Sequence, residues 1–188
     1  MKKIIILLGL FVSVILLDSC VVVGFKSGLK ALNEEQKARV KRADKSIGDL
    51  LCDKNIYIVD EVQLMDHIKQ QDSCVVYDWI AYCQQNIFSP RAFEHYCDSL
   101  HYTPIIVMSS FCRESFVGYD ADHTPLLFPD ITPYKTDRVY KYMDMLRKNL
   151  TGVESDPYRY WVFIKGHFVR FMDSYRDKTG PILVPVED

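Results

Sequence analysis

Residues 77–86 read YDWIAYCQQN and follow the apolar run CVV at 74–76. The stretch CVVYDW (74–79) is rich in β-branched and aromatic residues and apolar on both faces, as a strand buried inside a parallel sheet must be. Cys83 then follows the strand, ahead of a helix from Pro90 to Leu100 that turns Phe93, Tyr96 and Leu100 inward. A cysteine between a strand end and a helix start meets free N–H groups and the positive end of a helix dipole, and both favour a thiolate.

Working outward, NIYIV (55–59) and TPIIVMSS (103–110) are two further short strands. EVQLMDHIKQQ (61–71) places Val62, Met65 and Ile68 on one helical face, and Thr136 to Leu150 does the same with Val139, Tyr142, Met143 and Leu146. YWVFIKGHFVRFM (160–172) is two strands turning at Lys165-Gly166. Asn33, with Gln36 three residues on, starts a helix that Val40, Ala43, Ile47 and Leu50 carry to about Leu51. Its basic face is solvated or set against anionic head groups. Residues 113–134 hold four prolines or glycines and read as an irregular excursion; PILVPVED (181–188) reads as an edge or irregular segment. The order predicts an α/β fold: a mixed sheet with central parallel strands, helices on both faces, a C-terminal antiparallel hairpin and an extra N-terminal helix.

The N-terminus is a processing segment. Lys2 and Lys3 precede an apolar stretch from Ile4 to Leu17, too short for a permanent span of about 20 residues. It ends in Leu17-Asp18-Ser19-Cys20, which resembles a bacterial lipoprotein cleavage box, with Asp18 where a small residue is usual. The resemblance implies a signal peptide over 1–19 and Cys20 as the lipidated N-terminus of an envelope protein, facing the periplasm and anchored at the outer membrane. Residues 20–32 are expected to be a tether and 33–188 a single domain, with its core at about 55–173 and the excursion at about 111–134. Without 1–19, 21 basic side chains stand against 24 acidic ones, with no basic stripe, so nucleic acid is not an expected partner.

Five cysteines remain: Cys52, Cys74, Cys83, Cys97 and Cys112. An odd number in an oxidising compartment leaves at least one thiol free or transiently paired. There is no CxxC and no Cys/His spacing of a zinc site; no metal or cofactor is expected. Cys112 follows the 103–110 strand at its carboxyl end, and that strand should neighbour 74–79 in parallel. Cys83 and Cys112 are therefore expected at one edge of the sheet. Ser109 or Ser110 with His123 or His167 lacks a G-x-S-x-G elbow, and Asp120, Asp122 and Asp130 are conceivable calcium ligands or solvated loop carboxylates.

The element order and local motifs together resemble the thioredoxin-like superfamily, a three-layer α/β sandwich. Trp79 and Tyr82 stand four residues and one residue before Cys83, as that family's aromatics stand before its first reactive cysteine. Pro90 resembles the proline of the active-site helix, Asp156-Pro157 the cis-proline facing the thiol, and VFIKGHFV the closing strand-Lys-x-Gly-strand segment, one residue shorter. The departures are Gln85 and Asn86, which replace the family's proline and second cysteine, so a mixed disulfide at Cys83 has no local resolving thiol. Two readings follow. One is a protein- or peptide-binding module whose edge holds Trp79, Tyr82, Gln84, Gln85, Asn86, Ser110 and Pro157. The other is a thiol-disulfide oxidoreductase with Cys83 as nucleophile and Cys112 or a partner's thiol resolving.

Overall fold

In the computed structural model, residues 25–81, 88–154 and 159–172 are described. Seven strands form one mixed sheet: β1 (Val40–Arg42), β2 (Ile56–Val59), β3 (Ser73–Trp79), β4 (Thr103–Met108), β5 (Leu126–Pro129), β6 (Tyr160–Ile164) and β7 (His167–Met172). Their spatial order is β1-β2-β5-β4-β3-β6-β7, with β1 to β5 mutually parallel and β6 and β7 antiparallel to their neighbours. All seven residues of β3 are buried, because β4 and β6 satisfy its backbone from either side while helices cover its faces.

The helices are α1 (Glu34–Ala38), α2 (Glu61–Lys69), α3 (Pro90–Ser99), α4 (Arg113–Val117) and α5 (Val139–Thr151). Capping boxes start α1, with Asn33 and Gln36, and α2, with Asp60 and Gln63. Ser89 caps α3, whose first residue is Pro90, where a missing N–H costs nothing. Right-handed crossovers place α2 and α5 on one face and α3 on the other; α2 touches α5, and α3 lies on β4. The β6–β7 turn has positive φ at both Lys165 and Gly166, as a type I′ hairpin needs. A Cβ on Gly166 would come within 3.0 Å of the Lys69 backbone.

Four expectations are corrected. The helix from Asn33 to Leu51 stops at Ala38, and the chain then forms β1 and a 3-10 turn at Ile47–Asp49. Ile56 N–H donates to Arg39 O and Ala43 N–H to Ile58 O, so pairing with β2 meets the backbone's demand that a longer helix would have met internally. Ala43 and Ile47 are buried either way, which is why their spacing read as helical. Second, the excursion holds α4 and β5, and β5 is a fully buried strand between β2 and β4. Third, the expected tether is tied into the domain from Phe25 onward: Ser27 and Leu32 are buried, and Ser27 bonds to Asp137 and Phe111 through its backbone. On α2 the inward residues are Leu64, His67 and Ile68, whereas Val62 is exposed.

Candidate functional site

The carboxyl ends of β3 and β4 lie side by side, with Trp79 level with Met108. This is where open parallel sheets collect ligands. Because strand residues alternate, Asp78 and Trp79 face opposite sides of the sheet. Trp79 packs edge-on against Tyr119 with ring centroids 5.6 Å apart and keeps only 3% of its surface exposed. Tyr119 in turn donates its hydroxyl to Thr124 O. Trp79 is thus mainly packing, and it offers an incoming ligand little surface.

Asp78 is the residue that sequence reasoning passed over. It is buried, and its Oδ1 has no hydrogen-bond partner; neither do the hydroxyls of Ser109 and Ser110, which are buried at the end of β4. Desolvation pushes the Asp78 carboxyl up to about 6, against the opposing pull of the Arg159 and Arg147 guanidiniums and the nearby Ser109 hydroxyl. Arg147 is fixed by Asp144, 3.0 Å away, and stacks over Trp161 at 5.7 Å. Tyr142 donates its hydroxyl to Ser109 O. A carboxyl titrating near neutrality among unmet polar groups is the kind of perturbed group that marks functional edges. The signal in the sequence was an acid inside an otherwise apolar strand.

Cys112 stands at the same edge, one residue before α4. Its Sγ lies 3.2 Å from Ser115 Oγ, its N–H donates to that oxygen, and the Ser115 hydroxyl donates to Ser110 O. Burial and the neighbouring Glu114 raise the thiol more than the Ser115 contacts lower it. Cys112 is therefore held as a neutral, half-buried thiol against the Ser115 hydroxyl. Of the other predicted site residues, Ser110 follows β4 at this edge and is buried, while Cys20, Tyr82, Cys83, Gln84, Gln85, Asn86 and Pro157 lie outside the described residues.

None of the described cysteines is in a disulfide. Cys74 and Cys97 are fully buried, and burial pushes the Cys74 thiol up to about 12 and Cys97 in the same direction. Cys52 donates to Ala121 O and is also raised by burial. At pH 8, alkylation of Cys112 is expected to be slower than that of a small free thiol, because burial raises its pKa and lowers the thiolate fraction. Cys74 and Cys97 should react only after denaturant is added. Peptide mass spectrometry over time checks the order, and a Cys112 rate equal to the small thiol would contradict the raised pKa.

Other constellations do not assemble. His123 precedes β5 and His167 starts β7, at the edge of the sheet opposite Ser109 and Ser110. Asp130 pairs with Arg42 at 2.8 Å, Asp122 with Arg91 and His95, and Asp120 accepts from the Arg91 N–H. Glu94, His95 and Asp122 bring donor atoms within 4.8 Å of one another. Both Glu94 oxygens are already taken by three backbone N–H groups and the Thr124 hydroxyl, so Glu94 holds a loop rather than offering a ligand set. A cavity of about 530 Å³ opens at the amino-terminal edge, between Ile47, Leu50 and Leu127, with His67 on its wall. Burial lowers the His67 pKa, and its Nδ1 has no partner. This cavity lies away from the perturbed carboxyl and Cys112, which sit at the other edge.

No family model, curated protein or solved structure matches the chain.

Proposed function

We propose that this chain is a lipid-anchored, thioredoxin-like protein of the bacterial envelope that binds a protein or peptide at the carboxyl edge of β3 and β4 and does not run ordinary dithiol exchange. The observation that carries the reading is Cys112. It is the one described cysteine at that edge, and it is capped as a neutral thiol by Ser115, while Asn86 stands where a local second thiol would be. The strand carrying Trp79 lies between a parallel neighbour and an antiparallel hairpin, which supports the thioredoxin-like part of the proposal. The extra parallel strand β5 departs from the order read in the sequence.

One observation favours a second reading, in which Cys83 is a nucleophile. Asp78 titrates near neutrality five residues before Cys83 and could take the thiol's proton. The thiolate would attack a partner's disulfide, release one partner sulfur as a thiol and leave a mixed disulfide for Cys112 or a second partner thiol to resolve. Iodoacetamide rates at Cys83 against pH separate the two readings. The binding module predicts a thiol titrating near 8.5 or unreactive; a midpoint below about 7 would replace it with the enzyme. A Cys83–Cys112 bridge in non-reducing peptide maps would do the same.

A further inference from the structure

The chain between the proposed lipid and the folded domain is short, and the domain seizes it at a defined place. Val139 N–H donates to Phe25 O at 2.8 Å, Lys26 bridges Arg138, Ser27 N–H donates to Asp137 O at 2.8 Å, and Phe111 N–H donates to Ser27 O at 2.6 Å. Gly28 has φ +75°, and a Cβ there would come within 2.3 Å of Phe111 O, so the chain passes against the end of β4. Phe111 follows β4 and Arg138 precedes α5; both lie at the carboxyl edge of the sheet, beside Ser110 and Cys112. Only residues 21–24 separate Cys20 from Phe25. Five links of about 3.5 Å reach at most about 17 Å even when fully extended.

The surface at that point suits a bilayer. Phe25 is 64% and Tyr140 49% exposed. Lys26 and Arg138 are exposed beside them, with Arg138 donating to the Tyr140 hydroxyl at 3.4 Å. Asp137 is the acid of this group and is half-buried. Exposed aromatics interleaved with cations are the composition that settles at the head-group boundary.

We infer that the carboxyl edge of the sheet faces the membrane, with Phe25, Tyr140, Lys26 and Arg138 docked on the head groups of the bilayer that holds the anchor. The inference rests on the acylation of Cys20 proposed above. It deepens the functional reading, because a partner at the β3–β4 edge must then be membrane-embedded or lie within the head-group layer.

The test uses the full chain, processed in a bacterial host and reconstituted in vesicles of phosphatidylethanolamine and phosphatidylglycerol with or without brominated acyl chains. Mass spectrometry first establishes whether Cys20 carries acyl chains. Phe25→Trp and Tyr140→Trp are expected to lose at least about twofold more emission to the brominated lipid than Ser99→Trp, an exposed position at the opposite edge, since interfacial groups lie only about 5–10 Å deep. Lys26→Glu with Arg138→Glu should weaken quenching at Tyr140→Trp while acylation is unchanged. Acylated protein in which Ser99→Trp is quenched as strongly as Phe25→Trp overturns the orientation and leaves the anchor intact. Unmodified Cys20 overturns the anchor itself.

Discussion

Replacing Asp78 by asparagine is expected to raise unfolding stability at pH 8 by about 2 kcal/mol, with the gain vanishing below pH 4. The carboxyl rises from an ordinary 3.8 to about 6 in the folded state, and burial is the cause. A folded pKa above the unfolded one means that the folded chain binds the extra proton. The associated stability is fully present below about 3.8 and is lost as pH rises through about 6. At pH 8 the ionised Asp78 therefore costs about 3 kcal/mol relative to a neutral isostere, of which about 1 is returned through the unmet donors of the asparagine amide. Urea unfolding of both proteins at pH 8 and pH 4 checks the magnitude and its pH dependence. A variant no more stable than the parent at pH 8 would mean that Arg147 and Arg159 fully compensate the charge. A stabilising substitution at a buried acid is the expected mark of a residue retained for what it does rather than for holding the fold.

The parts of the fold that local physics determines were legible. β3 and β4 are mostly apolar runs because both faces of a central parallel strand are covered, and Lys165-Gly166 marks a hairpin because both residues take positive φ. The N-terminal segment was not legible, because Val40, Ala43 and Ile47 satisfy a helical spacing and a strand-plus-turn path equally well; pairing with β2 decides between them. β5 was hidden for a different reason. LLFP offers four residues ending in a proline, and only the neighbouring β2 and β4 make it a strand. That omission carried into the site. An irregular 113–134 segment offers nothing to cover Trp79, so the sequence leaves its ring open to packing and to ligand alike. Tyr119, held between α4 and β5, is what buries it. Asp78 was visible as an acid in an apolar strand, but the alternation that turns it from Trp79 towards Arg147 needed the sheet to be in place.

Removing the Glu94 side chain is expected to be costly for the fold. Its carboxylate is fully buried on α3 and accepts the N–H groups of Asp122 at 2.6 Å, His123 at 2.9 Å and Thr124 at 2.7 Å, together with the Thr124 hydroxyl at 2.7 Å. Those bonds fix the turn that delivers the chain into β5, which is why the sheet's inserted strand depends on a helix residue more than 30 positions upstream. Glu94→Ala strands the two buried Thr124 donors and loosens the part-buried N–H groups of Asp122 and His123, and is expected to cost about 3 kcal/mol; Glu94→Gln keeps the shape but loses the charge and should cost about 2. Desolvation acts to raise the carboxyl, yet the bonds from Thr124, Asp122 and His123 outweigh it and hold the pKa below its ordinary value. A depressed folded pKa means that the contribution is present above the unfolded value near 4.5 and is lost as pH falls through the folded one. The stability gap between parent and Glu94→Gln, read from urea unfolding, should therefore be full at pH 7 and shrink below pH 4. Hydrogen exchange gives a readout specific to the turn: the amides of Asp122, His123 and Thr124 should lose protection in Glu94→Gln while those of β3 keep theirs. A cost under about 1 kcal/mol for Glu94→Ala, with those amides still protected, would show that the turn holds without its carboxylate and that packing of Leu126 to Phe128 alone places β5 in the sheet.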